Sequence, residues 1–402
     1  MPISRTVKEH IGKASWIRKM FEEGRALKAR VGARNVYDFS LGNPVLDPPD
    51  EFYDALEHAA ADRSPGLHQY MENVGLLEAR QAVADWHALE SGLEYTSDLI
   101  LMTVGAAGAI NVALKTVVNA GEEVVLLAPY FAEYWFYVDN HGGIPRIVPT
   151  DSTFDIDLDA LESAISPKTR AIILNSPNNP TGRVYGHSSI DGLASLLEAK
   201  QRELGTTIYV VTDEPYRAIV YEDIDVPVVA TYYDNTILCT SHSKDLGLPG
   251  ERIGHIAVGP DAADAKELID GMAFTIRTLG FVNAPALMQR VVAGIMGTSV
   301  DIDFYRRNRD TMYHELTSFG FDMTKPEGAF YLFPRCPIED DVAFVRQLQK
   351  HHILTVPGSG FGTPGYFRIS YAVERDVVER SLPVWQKAAR ELGLKPRKVP
   401  VR

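Results

Sequence analysis

Cysteine is nearly absent: Cys239 and Cys336, far apart in the chain, are the only two in 402 residues. That excludes a disulfide framework and a metal site built on several thiolates. Long apolar runs are missing too, and none approaches the ~20 residues that a membrane-spanning helix needs. Positive charge is in deficit, with 40 Lys+Arg against 53 Asp+Glu and a formal net charge of −13. Such a balance repels phosphate backbones and anionic lipid, so neither nucleic acid nor a membrane is expected as a main partner. The first thirty residues are rich in Lys and Arg but lack an apolar core, and their acids (Glu9, Glu22, Glu23) suit no transit peptide. A cytoplasmic location is therefore expected. Internal repeats and low-complexity tracts are lacking as well.

What remains is an ordinary globular composition, 45% hydrophobic and 23% charged, long enough for a large domain with a smaller companion. Trp16, Ile17, Met20, Phe21 and Leu27 recur at helical spacing and predict an amphipathic helix over 14–30. The Gly- and Pro-rich stretch 41–49 reads as extended linker. Between about 95 and 260, short apolar runs alternate with helical patterns. Strands are expected at Val124–Ala128, Ala171–Asn175, Thr207–Thr212, Thr236–Ser241 and Ile253–Val258, with helices at 107–118, 158–165 and 188–204 between them. Buried runs alternating with helices predict an α/β fold with a mainly parallel sheet covered on both faces. Beyond 290 the pattern turns to long helices at about 300–318, 340–350 and 375–392, with short strands near Phe330–Phe333 and Phe367–Tyr371. That is the signature of a smaller α+β domain. The tail 395–402 is expected to fray.

Several tempting motifs fail. Gly358-Ser359-Gly360-Phe361-Gly362 has loop glycines but no nucleotide-binding helix after it, and His314-Glu315 lacks the second histidine of a zinc-protease helix. No Gly-x-Ser-x-Gly elbow exists, and the adjacent His351 and His352 suit a helix end better than a metal. No metal site is expected. The stronger signal lies where strands end. Thr236–Ser241 runs into Ser241-His242-Ser243-Lys244, then Gly247, Gly250 and Arg252. Thr207–Thr212 runs into Asp213-Glu214-Pro215-Tyr216, and Ala171–Asn175 into Ser176-Pro177-Asn178-Asn179-Pro180-Thr181-Gly182. Gly105, Ala106 and Ala107 open a helix. Ligands of parallel α/β sheets gather at the carboxyl ends of strands, so these clusters can converge on one site.

Taken in this order, Asn-Pro-Thr-Gly, Asp-x-x-Tyr and Ser-x-Ser-Lys…Gly-x-Arg resemble the class I/II aminotransferases, the fold-type I enzymes that use pyridoxal 5'-phosphate. The likeness runs from Gly42-Asn43-Pro44 to Arg368 and is closest to aspartate aminotransferase-like members. It implies a large domain (45–290) with a mainly parallel seven-stranded sheet, a small C-terminal domain (291–402), and an N-terminal helix and extended segment (1–44) serving the small domain and a dimer contact.

The resemblance also implies roles that make chemical sense. Lys244 would carry the cofactor and then act as base, which requires an amine discharged by burial and nearby cations. Arg252 would take the cofactor phosphate, helped by the Ser241 and Ser243 hydroxyls and by the N–H groups of Gly105, Ala106 and Ala107 at a helix start. Ala107 stands where the family often has a hydroxyl. Asp213 would pair with the ring nitrogen, Asn179 and Tyr216 with the ring's phenolic oxygen, and Phe131 would stack on the ring. Tyr70 would reach the phosphate of a neighbouring subunit, which implies a homodimer with shared sites. Arg368 would clamp the substrate α-carboxylate beside Asn179 and Gly42, and Arg277 is the candidate for a distal carboxylate.

The expected reaction moves an amino group between an α-amino acid, by default aspartate or glutamate, and a 2-oxo acid such as 2-oxoglutarate. A carbon–sulfur β-lyase or amino-acid decarboxylase on the same site is the alternative. A ligand-sensing regulatory protein is a remote one.

Overall fold

The structure, a computed structural model, describes residues 2–13 and 16–397; the side chains of Gly12–Lys19 and Phe21 lie outside it, and so does most of the tail read as frayed. Seven short runs, most of them rich in Val, Ile and Leu, pair into one sheet. They are β1 (Ile100–Thr103), β2 (Glu123–Ala128), β3 (Ile144–Pro149), β4 (Thr169–Asn175), β5 (Tyr209–Asp213), β6 (Thr236–Ser241) and β7 (Gly254–Val258). The spatial order is β1-β7-β6-β5-β4-β2-β3. Every pairing is parallel except the two made by β7.

The sheet is apolar because both faces are covered. Along β2, Val124 and Leu126 share a core with the helices Ala106–Val117 and Glu133–Asn140, while Val125 and Leu127 face the helix His187–Leu204; the helix Ala265–Thr278 covers β1 and β7 on the first of these faces. Helices Leu77–Ser91 and Ala286–Ala293 close the other end of that second face.

A separate core forms in the C-terminal part. A three-stranded antiparallel sheet joins Val356–Pro357, Phe367–Ser370 and Tyr331–Leu332. The helices Ile302–Ser318, Asp341–Lys350 and Arg375–Glu391 accompany it, and Trp385, Phe330 and Phe367 are fully buried in its core. The N-terminal segment belongs with this part: Tyr37–Asp38 pairs in parallel with Ile353–Leu354, and Met20 is buried in the same core.

The expected elements appear within a few residues of their places, with omissions of physical origin. The helix expected over 14–30 is found at Trp16–Val31, preceded by a separate helix, Arg5–Lys13, which the sequence reading missed. Strand β3 also escaped. It is an edge strand with Pro145 and Pro149 and mostly exposed side chains, so it has no continuous apolar signature. Strand β1 is four residues long and merges into the helix that follows. Also unread were the helices Asp50–Ala61, Glu133–Asn140, Ala265–Thr278 and Ala286–Ala293. His351 caps a helix end and pairs with Glu391, as its position suggested. Gly358–Phe361 forms one short 3₁₀ turn rather than a phosphate loop.

Candidate active site

Strands β4, β5 and β6 are parallel neighbours, so Asn175, Asp213 and Ser241 end side by side. The chain after each strand, with the start of the helix Ala106–Val117, rims a cavity of about 400 Å³. Twelve of the expected residues line it: Gly42, Ala106, Ala107, Phe131, Asn179, Asp213, Tyr216, Ser241, Ser243, Lys244, Arg252 and Arg368. Gly105 stands directly behind Arg252 and caps the helix with φ +82°; a Cβ there would lie 2.7 Å from Arg252 Nη2. No side chain caps this helix, so its first N–H groups keep their partial positive charge for a ligand. The Ser241 and Ser243 hydroxyls are 3.1 Å apart beside it. Three hydroxyl or guanidinium groups and a helix start thus form a cradle for an anion.

Lys244 enters from the loop after β6. Its Nζ donates to the Gly42 carbonyl at 2.7 Å, and burial, with Arg368 and Arg252 nearby, lowers its pKa to about 8. Across the cavity Asp213 ends β5 and is only 6% exposed. Its Oδ2 accepts a hydrogen bond from the Tyr134 hydroxyl, whereas Oδ1 is buried without a partner. Desolvation pushes this carboxyl up to about 7 despite the hydrogen bond. A buried carboxylate oxygen lacking a donor is a place for a protonated ring nitrogen. Together with the anion cradle and the lysine, it fits the phosphate, ring nitrogen and carbonyl of pyridoxal phosphate.

Arg368, on the strand Phe367–Ser370, is 1% exposed and lies 4.5 and 4.8 Å from the ring centres of Tyr331 and Phe361. Its Nη1 donates to Asn179 Oδ1 at 2.9 Å and its Nη2 to the Ser40 carbonyl at 2.7 Å, while Nε has no partner. Asn179 is itself fixed by its own N–H on Asn175 Oδ1, and Asn175 in turn donates to the Asp213 carbonyl. One chain of contacts therefore runs from Arg368 to the backbone of Asp213.

Besides Gly105, which stands behind it, two expected residues are not in this cavity. Tyr70 is 91% exposed, and Arg277 is exposed on the helix Ala265–Thr278, its guanidinium 5.4 Å from the Phe274 ring centre. The sequence reading in turn missed Tyr134, Tyr137, Asn175 and Tyr331 as site residues, all of which line it. Phe131, Tyr134 and Tyr137 recur every three residues, a helical spacing that could have marked one face. Tyr331, whose hydroxyl lies 2.7 Å from that of Tyr216, comes from the C-terminal part and carried no local signal.

Behind the cavity, on the other side of β5 and β6, lies a second of about 120 Å³. The buried His87 and His255 share a hydrogen bond between their Nε2 atoms at 2.9 Å. Beside them Arg217 holds the buried Glu214 at 3.2 Å and Glu90 at 3.3 Å.

Among the described residues no helix is long and apolar enough to cross a membrane. The sequence profile of the family described as aminotransferase class I and II matches residues 34–382. A probable aspartate aminotransferase of Methanocaldococcus jannaschii is 30% identical, over 92% of this chain and 96% of its own. An aromatic-amino-acid aminotransferase of Thermococcus litoralis is likewise 30% identical, over 94% and 97%. Among solved structures, an amino transferase from Eubacterium rectale superposes with a TM-score of 0.93 at 40% identity, over 97% of this chain and 99% of that one. An aspartate aminotransferase from Thermus thermophilus, determined with maleate, gives 0.85 at 27%, over 96% and 99%.

Proposed function

Because the chain belongs to the class I and II aminotransferases, we propose that the cavity around Lys244 binds pyridoxal phosphate and transfers amino groups between an α-amino acid and a 2-oxo acid. The observation that carries this reading is the pairing of a half-buried lysine of lowered pKa with a buried carboxyl group, one oxygen of which has no donor of its own. Pyridoxal phosphate, when bound, supplies an electron-withdrawing ring that stabilises negative charge at Cα of the amino acid.

The protein's part is binding, orientation and proton transfer. Arg252, Ser241, Ser243 and the N–H groups of Ala106 and Ala107 would hold the phosphate, and Lys244 would be the covalent attachment point. Asp213 would accept from the ring nitrogen, Tyr216 and Asn179 would serve the phenolic oxygen, and Phe131 would cover a ring face. Arg368, backed by Asn179 and Gly42, holds the α-carboxylate so that Cα is presented to Lys244. An amine with a pKa near 8 could take a proton from Cα and later give it up again, because both of its protonation states are accessible near neutral pH.

The division at about residues 44 and 290 belongs to the same proposal, with the small domain supplying Arg368 and the large one the cofactor cradle. So does a homodimer in which the exposed Tyr70 and Arg277 serve the partner's site. Aspartate or glutamate as donor and 2-oxoglutarate as acceptor are the proposed substrates, in keeping with the names of the relatives. Borohydride reduction of the loaded protein followed by peptide mapping should place a pyridoxyl group on Lys244, and a label on another lysine would overturn the assignment. A panel of amino donors with 2-oxoglutarate, read by product analysis, tests the reaction. Pyruvate or a decarboxylated amine in place of glutamate would replace transamination by elimination or decarboxylation.

A further inference from the structure

The Asp213 carboxylate is the group on which the ring nitrogen's charge depends, yet nothing in its own strand holds it. Asn175, the nearest side chain on β4, uses its amide on backbone groups at both ends, donating to the Asp213 carbonyl and accepting from the Asn179 N–H. The side-chain donor to the carboxylate itself is Tyr134, from the helix Glu133–Asn140. That helix and the turn before it are also where the cavity's aromatic wall comes from. Phe131 meets the Tyr134 ring edge-on, with centroids 5.5 Å apart and planes at 81°, and Tyr137 follows one turn later at 6.4 Å. Tyr134 is therefore locked between two rings while its hydroxyl points at Asp213.

We infer that Tyr134 is a positioning residue for the cofactor: by occupying Oδ2 of Asp213 it fixes which oxygen is offered to the ring nitrogen and keeps the carboxylate an acceptor. This rests on the reading that pyridoxal phosphate occupies the cavity. Three observations support it. The hydroxyl donates to one oxygen and leaves the other buried and unpartnered. Tyr134 is almost fully buried and burial drives its phenol far above the ordinary range, so it stays a donor at any working pH. Finally, burial and the neighbouring Glu214 favour a protonated Asp213, whereas the Tyr134 hydrogen bond and Lys244 oppose this. A protonated Asp213 could not accept from a protonated ring nitrogen through its O–H, so the hydroxyl acts on the form that matters.

The test compares two probes on the refilled protein: pyridoxal phosphate, and its 1-deaza analogue, in which a carbon–hydrogen unit replaces the ring nitrogen. Both keep the phosphate and the carbonyl. A charge-assisted contact of this kind is worth about tenfold or more in affinity. Tyr134→Phe should weaken capture of pyridoxal phosphate by about tenfold while changing capture of the analogue less than threefold. Tyr134→His, which keeps a donor, should restore part of the preference. In an Asp213→Asn background Tyr134→Phe should leave the preference unchanged. Equal weakening for both probes would make Tyr134 a packing residue and overturn the inference, and so would no change for either. If Tyr134→Phe does not fold, the His variant carries the comparison, and loss of both probes there counts against positioning. Wild-type protein that captures neither probe would sink the cofactor reading itself, an outcome distinct from failure of Tyr134 alone.

Discussion

Lys244 Nζ and the carbonyl oxygen of Gly42, 202 positions apart in sequence, are joined by a 2.7 Å hydrogen bond. The contact ties the amine to the irregular segment that connects the N-terminal part to the sheet domain. Gly42 tolerates no side chain, because a Cβ would fall 2.0 Å from the Tyr331 hydroxyl. Gly42→Ala must therefore displace Tyr331 and break its contact with Tyr216. We expect kcat/KM for amino donors to fall by about tenfold or more, since orientation at the reacting centre is lost. Cofactor absorbance should be little changed, because the phosphate cradle lies elsewhere. Unaltered kinetics would mean that Tyr331 moves aside freely.

The low pKa of Lys244 is testable without turnover. In cofactor-free protein, acylation of this amine, followed by peptide mapping across pH, should be half-maximal near pH 8. Burial is the main cause, and the Arg368 and Arg252 charges add to it. Arg368→Gln removes a cation that disfavours the ammonium form, so the midpoint should move up. A downward move, or a wild-type midpoint near the 10.5 of a free lysine, would refute the electrostatic account.

Asp213 sets function against stability. Its folded pKa, about 7, lies above the unfolded 3.8, so the native state keeps a proton that the unfolded chain has released. The stability this gives is present at low pH and is lost as pH rises from about 4 through 7. Asp213→Asn keeps the Tyr134 contact without the buried charge. Cofactor-free Asp213→Asn should be more stable than wild type at pH 8 by roughly 2–4 kcal/mol, measured by urea unfolding. Turnover of the loaded variant should drop by about a hundredfold, as expected when a partner to developing charge is removed. Near-normal turnover would remove Asp213 from the cofactor.

Arg217 holds two carboxylates behind the site, of which Glu214 is buried beside Asp213. Arg217→Ala leaves that charge unpaired, a loss of about 3–5 kcal/mol for a buried pair with one member removed. Urea unfolding should show it, and a change below 1 kcal/mol would mean that water or His87 takes over the partnership.

Tyr70 projects away from its own chain. If it serves a second copy, mixing Lys244→Ala with Tyr70→Phe protein should yield hybrid dimers more active than either parent. Demonstrated subunit exchange without any gain would count against shared sites.

The sequence alone specified the alternating architecture and most of the residues that line the cavity. Buried parallel strands must be apolar throughout, and ligand groups follow directly where such strands end, so Asp213, Lys244 and Asn179 announce themselves locally. Strand β3 was illegible for the converse reason: an edge strand with two prolines has one face in solvent and little apolar pattern. The site's second layer was equally invisible. Tyr134 touches Asp213 across 79 positions and Tyr331 touches Tyr216 across 115, and no local spacing encodes such meetings. Only tertiary packing brings the helix Glu133–Asn140 over the end of β5 and the C-terminal sheet over the mouth of the cavity. The same packing removes water from Lys244 and Asp213, and burial is the largest cause of both pKa shifts. Residue identity therefore determined which groups could react, and the fold decided their charge and which oxygen of Asp213 stayed free.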